Sequence, residues 1–342
     1  MGPHAADPDN GHMAPRPAGP DECPGDITWR RLDGPEPDLA TEISNCIAES
    51  DLPLDNCLQA LRQSLSLLMF SDYGGAHKGA RFDVMSFLVT TPEGLSRFSS
   101  GRDRLRQGQL GTERRMSYKA LGDKVRLRAL PAYLEVADQL TGLLVSFAVD
   151  KAGSYRLSEE YQAETAFGPL SPWTPRAFRK LTTIGHLAAI VIEGLRRDGQ
   201  NLIWITDEDE IAANLKKHTE ATKVLGHYFN LYCTGPMGHI RFGTTASDSG
   251  DLYIEDLAAV PDLAAGCLNE LLTEIFPHPQ SSSVSRLFIP PGATGIPVKA
   301  GVVTEWLAGS AQPLLKVNVV VHEKASLCSV RRLVVVTRLE DL

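Results

Sequence analysis

Three short, mostly apolar runs, each closed by an aspartate, constrain this chain more than any other feature. Residues 66–71 (SLLMFS) run into Asp72, residues 143–149 (LLVSFAV) into Asp150, and residues 201–206 (NLIWIT) into Asp207. Each run is short for a buried helix and is followed by polar or turn-forming residues, so each reads as a buried strand. A fold that sets such strands side by side delivers their carboxylates to the ends of one sheet.

The remaining pattern supplies partners for these strands. Residues 82–90 (FDVMSFLVT) alternate and make an antiparallel partner for the first run, and residues 114–119 (RRMSYK) read as a third strand. Ile43, Ile47, Leu54, Leu58 and Leu61 recur at helical spacing and are broken at Pro53, which predicts two short helices. Helices are also predicted from Thr91-Pro92-Glu93, over residues 123–139, from Thr174-Pro175 to Gly199, over residues 261–276 starting at Pro261, and over residues 298–307. Further strands fall at residues 239–245, 314–322 and 330–337. Three consecutive strands followed by helix, strand, helix, strand and a later helix describe an α+β fold, α/β-like in character, with a mixed five-stranded sheet flanked by helices and with extra C-terminal strands and a helix.

Residues 1–40 hold eight prolines and few large apolar side chains, too little to offset the entropy of ordering. They read as a disordered tail, leaving residues 41–342 as a single domain whose core spans about residues 66–275. No run of about 18 apolar residues is present, so no membrane span is expected, and the Pro-rich start lacks the charged and apolar regions of a signal peptide. Six cysteines lie far apart without metal-ligand spacing and read as buried thiols of a reducing compartment, so the cytoplasm is the expected location. A net charge of −8 argues against coating nucleic acid through bulk electrostatics.

Carboxylates gathered at the ends of neighbouring strands repel one another unless a cation neutralises them. Mg²⁺ or Mn²⁺ is the usual solution, because it takes hard oxygen ligands, and a pair of such ions can activate a water and stabilise the leaving oxygen of a phosphodiester. Asp72, directly before Tyr73-Gly74-Gly75, sits at a sharp strand exit; Asp150 precedes Lys151; Asp207 opens the acidic run Asp207–Glu210. Each has a plainer reading, as a turn residue, a partner of Lys151 and a helix-start acid respectively. Asp262 follows Pro261 and precedes the small residues Ala264, Ala265 and Gly266, which would let its helix approach the strand ends. A first-turn Asp is also stabilised by the helix dipole alone. Glu255 and Asp256 are weaker candidates.

In the stretches MFSDYGG, SFAVDK, IWITDE and VPDLAAG, covering roughly residues 66–275 in order, the chain resembles the RNase H-like superfamily. Within that superfamily it is similar to the bacterial group called domain of unknown function 3800. The resemblance implies Asp72, Asp150, Asp207 and Asp262 as the catalytic acids of a metal-dependent nuclease or phosphodiester hydrolase. Asp72, Asp150 and Asp262 would be the metal ligands, and Asp207 would ligate or orient a water. Tyr73 and Pro261 depart from the group's pattern, and with the acidic net charge they motivate an alternative: a non-catalytic scaffold of the same fold that binds a protein partner or nucleic acid.

Between Arg102 and Arg128 nine basic residues face three acids, an asymmetry that fits either a phosphate-binding edge or a solvated face. Lys119 and Arg115 in this stretch, with His77 and Lys78 in the loop after Asp72, are the candidate substrate-binding residues. No Gly-x-Ser-x-Gly or phosphate-loop motif is present.

Overall fold

In the computed structural model, which describes residues 27–32, 38–50, 52–75, 77–151, 172–207, 210–275, 286–289, 295–309, 313–324 and 327–337, regular structure begins with the two short helices that Pro53 separates. These are α1 (Leu39–Ala48), capped by the Asp38 carboxylate on the Thr41 N–H at 2.8 Å, and α2 (Leu54–Gln63). Next come β1 (Ser66–Gly74), β2 (Phe82–Thr90), α3 (Ser96–Leu105), α4 (Lys124–Ala137) and β3 (Gly142–Asp150). Then α5 (Pro175–Leu195), β4 (Asn201–Thr206), α6 (Leu215–Tyr232), β5 (Ile240–Thr244) and α7 (Tyr253–Ile275) alternate. The described chain closes with β6 (Arg286–Phe288), α8 (Val298–Ala308), β7 (Leu314–Lys324), β8 (Leu327–Arg332) and β9 (Val334–Val336).

The main sheet has seven strands in the order β5-β4-β1-β2-β3-β7-β8, where five were expected. The C-terminal strands account for the difference: β7 pairs in parallel with β3 from Gly142↔Leu314 to Val149↔Val321, and β8 turns back antiparallel on β7. The expected strand over residues 330–337 is two strands, the second of which, β9, leaves the sheet to pair with β6. β2 is antiparallel to both β1 and β3, whereas β4 joins β1, and β5 joins β4, in parallel through helices. β1, β3 and β4 therefore run the same way.

Alternation along each strand feeds two separate cores, one on each sheet face. Leu67, Met69, Phe87, Val145, Phe147 and Trp204 pack under α1, α2, α5 and α6. Phe70, Val84, Leu88, Leu144 and Ala148 pack under α3, α4, α7 and α8. Trp29 lies in the first core and donates its Nε1–H to Ser44 Oγ at 3.1 Å, so the boundary expected at residue 40 moves: residues 27–32 and the start of α1 belong to the folded unit. Residues 1–26 and 33–37 lie outside the described residues.

Two expected elements are corrected. Residues 114–119 do not form a strand; Tyr118–Gly122 is a 3₁₀ turn. The Tyr118 N–H that a strand partner would need is instead bonded to the Asp262 carboxylate at 2.5 Å. The third strand is residues 142–150, after the helices. Likewise Pro261 does not start a helix, because α7 begins eight residues earlier. The Asp248 carboxylate takes the N–H groups of Gly250, Leu252, Ile254 and Glu255 at 2.7 to 3.3 Å, which anchors the helix there. Pro261 is carried inside α7 at the loss of one backbone hydrogen bond.

No helix among the described residues is long and apolar enough to cross a membrane. Cys46, Cys57, Cys233 and Cys267 are free thiols; burial pushes Cys57 and Cys267 up to about 12, well outside the reactive range. Cys23 and the Cys328 side chain lie outside the described residues.

Candidate functional site

Register decides which acids meet. The β1–β4 ladder ends on the pair Ser71↔Thr206, so Asp72, within β1, and Asp207, just past the end of β4, are the residues that follow it on the two neighbouring chain segments. Alternation from Phe70 puts Asp72 on the face that α7 covers. Asp72 is paired with Ser86 of β2, whose hydroxyl shares a 2.8 Å hydrogen bond with Ser146 of β3, so the apolar core of this face gives way to polar side chains here.

Helix α7 packs across β1, β2 and β3 on that face. The helix comes close to the strand at Gly74, where a Cβ would stand 3.1 Å from the Ala265 carbonyl oxygen and 3.5 Å from Asn269 Cβ. A larger residue there would lift the helix off the strand. One turn before Ala265, Asp262 points into the packed layer. Burial pushes its carboxyl up to about 6; the Tyr118 N–H holds it back, the nearby Asp207 charge adds to the rise, and Lys119 and Arg115 oppose it. Asp207 and Asp262 thus feel one another.

Glu255, in the first turn of α7, completes the group. Burial raises its carboxyl, Arg115 opposes the rise, and the Asp207 and Asp248 charges reinforce it. Asp207 accepts a 3.1 Å hydrogen bond from Thr245 Oγ1. Arg115 reaches in from the loop before the 3₁₀ turn: its Nη2 is in tight contact with Glu255 Oε2 and lies 3.8 Å from Asp207 Oδ1. Lys119, on the turn itself, is exposed and close enough to act on Asp262. The structure therefore gathers Asp72, Asp207, Asp262, Arg115 and Lys119 at one end of β1 and β4, together with Glu255.

Asp150 is not brought to this group. It ends β3, on the far side of β2 from β1, and its register partner is Phe82, whereas the residue level with Asp72 is Ser146. Two strands across and four residues along separate the Cα atoms of Asp72 and Asp150 by roughly 16 Å, beyond a shared ligand sphere. Asp150 is instead buried against Arg81, which donates from Nε at 3.1 Å and Nη2 at 2.8 Å. Lys151, its expected partner, turns the other way and donates to the carbonyls of Gly75 and Ala80, pinning the β1–β2 loop. His77 in that loop lies 3.3 Å from Asn269 Nδ2, two turns beyond Asp262 on α7, and Lys78 is exposed beside it.

The basic stretch divides into two parts. Arg102 and Arg106 are buried and grip the Asp256 carboxylate, at 2.7 Å from Arg102 Nε and at 2.5 and 2.6 Å from Arg106. They fasten α3 and the turn directly after it to α7 and are not available to a ligand. Arg104, Arg114, Arg115, Lys119, Lys124 and Arg128 are exposed, and the ninth, Arg126, is half-buried against the Arg115 carbonyl. Glu208 and Asp209 lie outside the described residues.

No three His, Cys, Asp or Glu side chains among the described residues form a group that could hold a metal ion as they are placed. The Asp207 charge acts on both Asp262 and Glu255, and the Arg115 guanidinium stands as the cation between Asp207 and Glu255. Compared with known proteins, the chain matches no family model and has no significant curated relative.

Proposed function

We propose that this protein is a divalent-metal-dependent phosphodiester hydrolase of RNase H-like fold, acting at Asp72, Asp207 and Asp262. The observation that carries the reading is the end of the β1–β4 ladder at Ser71↔Thr206, directly before Asp72 and Asp207, with Asp262 on the helix that covers this face and within reach of the Asp207 charge. The fold reading is supported by β1 to β5, in which three consecutive antiparallel strands are followed by two that join β1's side in parallel through helices. β7 and β8 then extend the opposite side of the sheet.

Asp72, Asp207 and Asp262 are the residues that would hold Mg²⁺ or Mn²⁺. When bound, the ion supplies an activated water and charge neutralisation at the leaving oxygen. Around it, the chain's own residues divide the remaining work. Thr245 orients the Asp207 carboxylate through its hydroxyl, and the Tyr118 N–H fixes that of Asp262. Lys119 and Arg115 provide positive charge where an anionic substrate would approach, and the exposed Arg114, Lys124 and Arg128 extend it along the surface. Asp150 serves the fold through Arg81 rather than the chemistry.

The test uses the purified full chain with Mn²⁺ and a panel of single- and double-stranded RNA and DNA. The reading expects cleavage by the wild type that is lost in an Asp72→Asn, Asp207→Asn double variant. Equal rates for the two proteins would reject it.

A second reading has its own support. Arg115 on Asp207 and Glu255, and Arg81 on Asp150, neutralise acids without any ion, as a non-catalytic scaffold binding a protein partner or nucleic acid would do. A thermal melt separates the two, because a metal that binds only the folded protein raises its melting temperature. No rise with Mn²⁺ would favour the scaffold.

A further inference from the structure

Four exposed cations, Arg114, Lys119, Lys124 and Arg128, surround the junction between the 3₁₀ turn and α4. Arg114 is close enough to act on the Asp123 carboxylate, which caps α4 directly before Lys124, and Lys119 acts on Asp262. Arg128 lies one turn beyond Lys124, so the two share one side of the helix about 5–6 Å apart. Among the described residues none of the four is in an ion pair, whereas their neighbours Arg115 and Arg126 pair with Glu255 and Asp123. Glu113 is the exposed acid beside them, and the Asp123 carboxylate is taken up by the N–H groups of Val125 and Arg126. Both elements are firmly seated: Tyr118 packs on Gly266 and its N–H is held by Asp262, while Ala129, Leu130 and Tyr133 bury the other side of α4. On a chain of net charge −8, four unpaired cations on fixed elements form a local positive surface, and its complement is a polyanion. The aromatic residues of residues 96–128, Phe98 and Tyr118, are both turned into the core. A single strand is held by stacking its bases on aromatic rings, whereas a duplex offers its phosphates outward at regular spacing, so long cationic side chains suit the duplex.

We propose that this surface binds double-stranded nucleic acid by its phosphate backbone, without reading base sequence, and so presents a duplex rather than a single strand to the acids beside Lys119. The inference deepens the hydrolase reading above and rests on it for that last step. The binding itself is carried by the four cations and needs no metal. Each phosphate contact releases a counterion, so affinity falls as salt rises, in proportion to the number of cations engaged. Lys124 and Arg128, on the rigid helix, are the pair whose removal that dependence reports.

Fluorescence anisotropy of the full-length protein in EDTA, over a series of KCl concentrations, tests this. The probes are short mixed-sequence duplexes of DNA and of RNA and the corresponding single strands. The proteins are the wild type, a Lys124→Gln, Arg128→Gln double variant, a charge-keeping Lys124→Arg, Arg128→Lys double variant, and Arg179→Gln on α5, against the opposite face of the sheet. The wild type is expected to bind at least one of the two duplexes on the order of tenfold more tightly than its single strands. The Gln double variant should bind that duplex on the order of tenfold more weakly and flatten the slope of log affinity against log salt by about two. The charge-keeping variant and Arg179→Gln should stay within about twofold of wild type, and all four proteins should melt alike. No duplex binding, equal affinity for single strands, or an unchanged slope in the Gln double variant would overturn the proposal. So would equal binding to anionic phospholipid vesicles lost in the same variant, which would assign the surface to a membrane. Duplex binding with the expected losses, but without cleavage once Mn²⁺ is added, would uphold the binding surface and reject the hydrolase reading. Cleavage that the Gln double variant carries out as fast as wild type on the duplex would do the reverse.

Discussion

Replacing Asp262 by Asn should make the protein more stable at neutral pH, although the residue belongs to the proposed site. In the folded chain its carboxyl is pushed from the usual 3.8 up to about 6, mainly by burial. A carboxyl raised on folding binds its proton more tightly in the native state, so the wild type loses stability as pH rises from about 4 to about 6 and gains nothing back above that window. The difference of about two pKa units corresponds to a cost on the order of 3 kcal/mol at pH 7.5. An Asn side chain carries no charge, and its carbonyl oxygen can still accept the Tyr118 N–H, now held at 2.5 Å. Urea unfolding of both proteins at pH 4.5 and pH 7.5, without added metal, measures the effect. The variant should gain on the order of 3 kcal/mol on the wild type at the higher pH and much less at the lower. A variant less stable than wild type at pH 7.5, or a gap that does not change between the two pH values, would refute the picture of a carboxyl raised mainly by burial.

Asp150→Ala removes the buried carboxylate that the largely buried Arg81 guanidinium grips and should cost about 3 kcal/mol in urea unfolding, while leaving Mn²⁺ affinity unchanged; a large loss of affinity would return Asp150 to the metal set. Gly266→Ala would place a Cβ 2.4 Å from Tyr118 Cγ in a packed layer and should cost about 1–3 kcal/mol, more than the helix gains from Ala. A more stable variant by the same assay would show that the turn carrying Tyr118 and Lys119 is free to move.

The strands were legible because burial on both faces leaves a run with few other uses. Residues 82–90 were bounded as they stand, and residues 66–71, 143–149 and 201–206 lie within β1, β3 and β4. What a run cannot reveal is its neighbour. Asp72, Asp150 and Asp207 look alike in sequence, and only the ladders set Asp207 beside Asp72 and carry Asp150 to the far side of β2. Residues 114–119, read as a strand, do bury Met116 and Tyr118 at alternate positions, but a loop and 3₁₀ turn docked on α7 place them there. Pro261 was misleading for a related reason. Proline favours a helix start, but the carboxylate that caps α7 is Asp248, beyond the reach of local pattern. Glu255 passed as a weak candidate because nothing in its local sequence marks it; its role emerges only where Arg115 crosses to it. Arg102 and Arg106, read as part of a basic edge, belong to the core because Asp256 lies opposite them on α7.

The most direct test of the central claim is anomalous diffraction from crystals of the wild-type protein soaked in Mn²⁺. The account predicts a peak bounded by the carboxylates of Asp72, Asp207 and Asp262, and no peak at Asp150. A fully soaked crystal with no peak among those three carboxylates would contradict it.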